Sequence, residues 1–111
     1  MKQPAAEHMP QPRTRLFHAE VRLLPTEEGG RRMPIHSGYR ASFTLPSHAT
    51  GDRVDGQLHV SQPDQIRPGQ VGLVEIRPLV PEHWRSVVVG AELLLWEGPR
   101  RIGVAHVRMP K

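Results

Sequence analysis

Period-two alternation, in short runs broken by glycine and proline, constrains this chain more than any other feature. Phe17, Ala19, Val21 and Leu23 share one face of Leu16–Leu24, with His18, Glu20 and Arg22 on the other. Tyr39, Ala41, Phe43 and Leu45 repeat the pattern with Arg40, Ser42 and Thr44 opposite, until Pro46 ends the run. Successive strand side chains point to opposite faces, so such alternation marks half-buried strands. Between the two runs sit Gly29-Gly30, Pro34 and Gly38. A Gly-Gly pair is free to take φ > 0 at both positions, which predicts a tight reversal between antiparallel strands. Pro34 keeps the crossing segment extended and holds Met33 out of the helical region. Gly38 lets the backbone bend as it enters the next strand. Arg31, Arg32, His36 and Arg40 are expected on the surface, with Arg31 and Arg32 projecting from a hairpin tip into solvent.

The rest of the chain continues in the same grammar. Ser47–Gly56 reads as a polar loop, Gln57–Ser61 as a short strand and Gln62–Gly69 as another loop. Arg67-Pro68-Gly69-Gln70 carries proline second and glycine third, the pattern of a type II turn. Val71–Val80 reads as a clear strand with Val74 and Ile76 facing in and Glu75 and Arg77 facing out. Pro81–Ser86 is a connection holding Trp84 and Arg85. Val87–Trp96 is almost continuously apolar around Gly90, which suits a strand buried on both faces or one that meets a partner. Gly98-Pro99 breaks it, and Arg100–Arg108 forms the last strand. Six or so short antiparallel strands with no helical segment imply a small all-β barrel or sandwich. Residues 1–14 are rich in Pro, Gln and Ala without periodicity and read as a flexible tail. One domain over 15–109 remains.

Composition bounds the chemistry. A chain of 111 residues holds one domain with a modest core. There is no cysteine, hence no disulfide framework and no thiolate chemistry. The N-terminal residues contain no signal-peptide core, and no run approaches the roughly 20 apolar residues of a membrane span. The expectation is a soluble cytoplasmic protein with no membrane partner. The only lysines are Lys2 and Lys111, so a phosphate-binding G-x-x-x-x-G-K-S/T loop is impossible. No serine sits in a G-x-S-x-G elbow. The seven histidines show neither H-E-x-x-H nor H-x-H spacing, so no metal and no cofactor is expected. Glu27-Glu28 beside Arg31-Arg32 reads as a local ion-pair cluster, not an acid–base pair. The formal charge is +4, carried almost wholly by arginine, whose planar fork suits phosphate and carboxylate partners. The expectation is a binding protein, not an enzyme.

The run F-H-A-E-V-R-L-L-P-T-E-E-G-G-R-R-M-P-I-H-S-G-Y-R-A-S-F, residues 17–43, resembles the start of the C-terminal domain of elongation factor Tu. The F-x-A-x-V opening, the E-G-G-R turn, the following proline and the G-Y-R-x-x-F strand all occur in order. Thr50-Gly51, Pro68-Gly69, Pro78, Glu97-Gly98 and Arg101-Ile102-Gly103 continue the match collinearly, so the resemblance runs from about Leu16 to Val107. It implies closure into a six-stranded antiparallel barrel.

It also implies a module that touches the sugar-phosphate backbone of tRNA, or of another RNA, reading shape and charge rather than sequence. Arg31 matches the arginine after the glycine pair, Arg32 stands where histidine is usual, and Thr50 matches the threonine before the mid-chain glycine. Arg40 and Ser42 belong to the same set, Ser42 replacing a longer amide. Departures from the family pattern point elsewhere. The lysine expected near Leu73 is missing, and Ser47-His48-Ala49 replaces a Thr-Thr-Asp run. Glu92, Leu94 and Trp96 occupy a region where arginines are usual, and an insertion over Glu82–Val89 brings Trp84 and three valines. Trp84, Leu94 and Trp96 therefore either form a protein-docking surface, for a GTPase, another protein or a second copy, or cover the barrel's own end.

Overall fold

The computed structural model describes residues 15–45 and 52–110. Its strands are β1 (Phe17–Leu23), β2 (Ile35–His36), β3 (Arg40–Thr44), β4 (Arg53–Gln62), β5 (Gln65–Ile66), β6 (Val71–Pro78), β7 (Glu92–Glu97) and β8 (Arg100–Arg108). Six of them close into a barrel in the order β1-β6-β4-β3-β7-β8, while β2 and β5 form a small separate ladder. Every pairing is antiparallel, and β1 closes the ring by bonding β6 on one edge and β8 on the other. The expected six-stranded antiparallel barrel is the fold of the chain.

Alternation sets which side chains fill the barrel. Phe17, Ala19, Val21 and Leu23 of β1, Ala41 and Phe43 of β3, and Val74 and Ile76 of β6 all lie in the core. The apolar run 87–96 resolves into two parts. Val87–Ala91 is a turn stabilised by the Gly90 N–H donating to the Val107 carbonyl at 2.8 Å. The strand proper starts at Glu92 and alternates after all, with Leu93 and Leu95 buried and Leu94 and Trp96 half-buried on the outer face.

Trp84 plugs the end of the barrel where β1 begins and β6 finishes. It sits in a 3-10 turn, Pro81–Trp84, and is 1% exposed. Its ring lies 5.5 Å from Phe17 and 5.1 Å, edge-on, from Phe43. Its indole N–H donates to the Asp55 carbonyl at 3.2 Å. Trp84 is thus not available as a docking residue; of the two readings, covering the barrel's own end is the one that applies to it. Gly56 makes room for the plug, since a Cβ there would meet Ile76 Cγ2 at 2.9 Å, Phe43 Cε1 at 3.0 Å and Trp84 Cζ2 at 3.1 Å.

Two local expectations need correction. The stretch read as a loop up to Gly56 is strand from Arg53 onward, with Val54 and Gly56 facing in. The Gly29-Gly30 pair is not a hairpin turn, because β1 pairs with β6 and β8 and never with β3. The chain instead makes a 3-10 turn over Thr26–Glu28, closed by Gly29 at φ 93°, and crosses the barrel's other end to reach β3. Gly30 serves a close approach: a Cβ there would lie 2.3 Å from the Leu24 carbonyl oxygen. Elsewhere the Arg67–Gln70 turn closes as expected, with the Gln70 N–H 2.9 Å from the Arg67 carbonyl.

Candidate nucleic-acid interface

The crossing segment folds back over the barrel mouth, and this decides what Arg31 does. The Thr26 hydroxyl donates to the Arg31 carbonyl at 2.5 Å, and Arg100 donates to the Gly30 carbonyl at 3.4 Å. The backbone is thereby held with the Arg31 side chain facing inward. Its guanidinium lies 4.6 Å over the Tyr39 ring, pairs with Glu97 at 3.4 Å and donates from Nε to the Met33 carbonyl at 3.1 Å. Only 15% of the side chain is exposed. Arg31 therefore does not project from a tip into solvent; it forms a clasp tying the crossing segment to β3 and to the β7–β8 hairpin. Burial pushes the Tyr39 phenol above its ordinary pKa, while Arg31 pulls it down and Glu97 pushes it up. A cation over an aromatic face contributes about 0.5–1 kcal/mol when exposed, and a partly exposed ion pair about as little.

Arg32 and Arg40 behave differently. Each follows a member of the clasp by one residue, Arg32 after Arg31 and Arg40 after Tyr39. Both are exposed, and neither has an ion pair or hydrogen bond among the described residues. Arg40 opens β3 opposite Gln57, and Ser42 and Thr44 follow on the same outward row. The Ser42 hydroxyl donates to Asp55 Oδ1 at 2.9 Å. Across the other edge of β3, Ser42 faces Trp96 and Thr44 faces Leu94. The Trp96 indole N–H donates to Thr44 Oγ1 at 2.7 Å. Arg53 lies 4.2 Å over the Trp96 ring and also donates to the Gly98 carbonyl.

One surface thus unites residues assigned above to two roles. Arg40 and Ser42, expected to face RNA, share the β3–β7 outer wall with Leu94 and Trp96, expected to face protein. Thr50 lies outside the described residues. His36 is exposed, as expected. Arg53 and Asp55 belong to this surface too, whereas Tyr39 packs against the core and meets Glu97 only through the Arg31 clasp; the sequence marks none of the four as functional. Arg53 lies in a stretch whose composition reads as loop, and Glu97 is marked only by its collinear match to the family pattern. Chemically, the wall offers the free guanidinium of Arg40, a short hydroxyl at Ser42 and an aromatic ring, Trp96, already capped by Arg53. Among the described residues no group of three or more His, Asp or Glu could hold a metal ion. No helix among them is long and apolar enough to cross a membrane.

Over 95 residues the chain is 33% identical to elongation factor Tu 2 of Streptomyces avermitilis, a match that takes in 85% of this chain and 22% of that protein. The chain therefore spans about a fifth of the length of that curated relative. No family model matches it.

Proposed function

We propose that this chain is a translation-associated binding module without catalytic activity, which holds the sugar-phosphate backbone of tRNA, or of duplex RNA of similar shape, against the outer wall of β3. The observation that carries the reading is the pair of uncommitted guanidinium groups at Arg32 and Arg40. The Arg31–Tyr39–Glu97 clasp fastens the two backbone segments together and so presents the next residue of each on a rigid frame. Arg31 acts here as a positioning residue, its Nε and Nη1 already engaged by Met33 and Glu97. Ser42, whose proton is held by Asp55, offers its oxygen as an acceptor to a sugar 2′-hydroxyl, and Thr50, by the family resemblance, supplies a second hydroxyl. Similarity to an elongation factor supports the link to translation, and such contacts fix position without reading bases.

Salt dependence tests the reading. Affinity of the full chain for tRNA should fall linearly with salt on a log–log plot. Arg32→Ala and Arg40→Ala should each flatten the slope by roughly 0.7–0.9, one phosphate contact apiece. A double variant that keeps the wild-type slope overturns the assignment. The docking alternative, to a GTPase or a second copy, draws support from Leu94 and Trp96 on the same wall and from Val88 and Val89, which are 60% and 54% exposed. It becomes the better account if the wild type itself shows no salt-sensitive RNA binding.

A further inference from the structure

Strand register places a second exposed arginine beside the first. Arg40 of β3 stands directly opposite Gln57 of β4, and Gln57 stands directly opposite Arg77 of β6. All three fall on outward positions, since their inward neighbours Ala41, Leu58 and Ile76 are buried. Two interstrand spacings put the Cα atoms of Arg40 and Arg77 about 10 Å apart, far enough for the two forks to address separate phosphates. Like Arg40, Arg77 is exposed with no ion pair or hydrogen bond among the described residues. Gln57 between them is fixed, donating from Nε2 to the Gly38 carbonyl at 3.2 Å.

Resting on the reading above, we propose that Arg77 is a further phosphate-binding residue that extends the RNA track from β3 across β4 to β6. Beside it runs an open groove of about 650 Å³ lined by Gly38, Gln57, His59, Glu75 and Arg77 among others. The groove, with the exposed Arg77 on its lining, gives a backbone strand somewhere to lie. Two carboxylates flank the row. Asp55 already accepts the Ser42 hydroxyl, and Glu75 stands opposite His18 on β1 and His59 on β4. Neither is paired with Arg77, so its charge remains available to an anion.

The test measures binding of the full chain to a labelled duplex RNA of mixed sequence between 50 and 200 mM salt. Variants are Arg77→Ala, Arg77→Lys, Arg32→Ala and, as a control for net charge, Arg85→Ala at an exposed position on the β6–β7 connection. One lost phosphate contact should make the fall in affinity over that range about threefold smaller for Arg77→Ala. Arg77→Lys should keep the wild-type slope, and so should Arg85→Ala. Should Arg77→Ala behave like the wild type while Arg32→Ala flattens the slope, this inference fails and the binding module stands. Equal effects of Arg77→Ala and Arg85→Ala also overturn it, because they report charge and not contact. No salt-dependent binding by the wild type removes both.

Discussion

Arg31 shows what a residue's position in a pattern does and does not fix. Following a glycine pair, it reads as a surface cation, and its neighbour Arg32 is one. Arg31 itself turns inward because the crossing segment is pinned by Thr26 within the same segment and by Arg100 from β8, and the second contact is one that no local pattern encodes. Tyr39 reports on this clasp, and it is the chain's only tyrosine. Its raised pKa favours the neutral phenol in the folded state. The associated stability is present below the ordinary tyrosine value of about 10 and lost as pH rises through the folded value. Phenolate absorbance during a pH titration reads the folded value directly. Arg31→Ala removes a cation that holds the phenol down, so the titration should move up. Glu97→Gln removes an anion that pushes it up, so the titration should move down. Shifts of the same sign in both variants would show that the clasp is not the arrangement around Tyr39.

At the scale of elements, β1, β3, β6 and β8 were legible because one face of each is buried and the other wet. The first half of β4 was not: Gly51 and Asp52 before it and Asp55 and Gly56 within it have turn-like composition, and the glycine at 56 is explained only by close packing against Ile76, Phe43 and Trp84. The 3-10 connection was legible as a connection but not in its role, since a loop tryptophan reads equally as a surface anchor or as a plug. Stability measurements separate these roles. Trp84→Ala should cost about 3–5 kcal/mol in urea unfolding, the range for an aromatic lost from a core. Gly56→Ala should cost about 1–3 kcal/mol by overpacking against Ile76, Phe43 and Trp84. Val88→Ser and Val89→Ser on the same connection should stay within about 0.5 kcal/mol, as exposed sites do. A Trp84→Ala variant as stable as the wild type would remove the plug from this account.

The whole molecule is a closed barrel whose closure local alternation alone left open between barrel and sandwich. The resemblance to the elongation factor domain supplied that step, because it spans strands that pair far apart in sequence. The candidate interface was legible as a set of residues, and less so as an arrangement. Arg32, Arg40 and Ser42 were visible in one run, but Arg77 joins them only through the register of β4 with both neighbours. The joint surface with Leu94 and Trp96 likewise depends on the β3–β7 pairing. The central claim is that RNA backbone lies against this wall, and its most direct test is a titration of the isotope-labelled full chain with tRNA at low salt, followed by backbone amide shifts. Shifts are expected at Arg32, Arg40, Ser42, Gln57 and Arg77, and they should fade as salt is raised. Absence of any shift, or shifts confined to Val88 and Val89 at the plugged end, would contradict it.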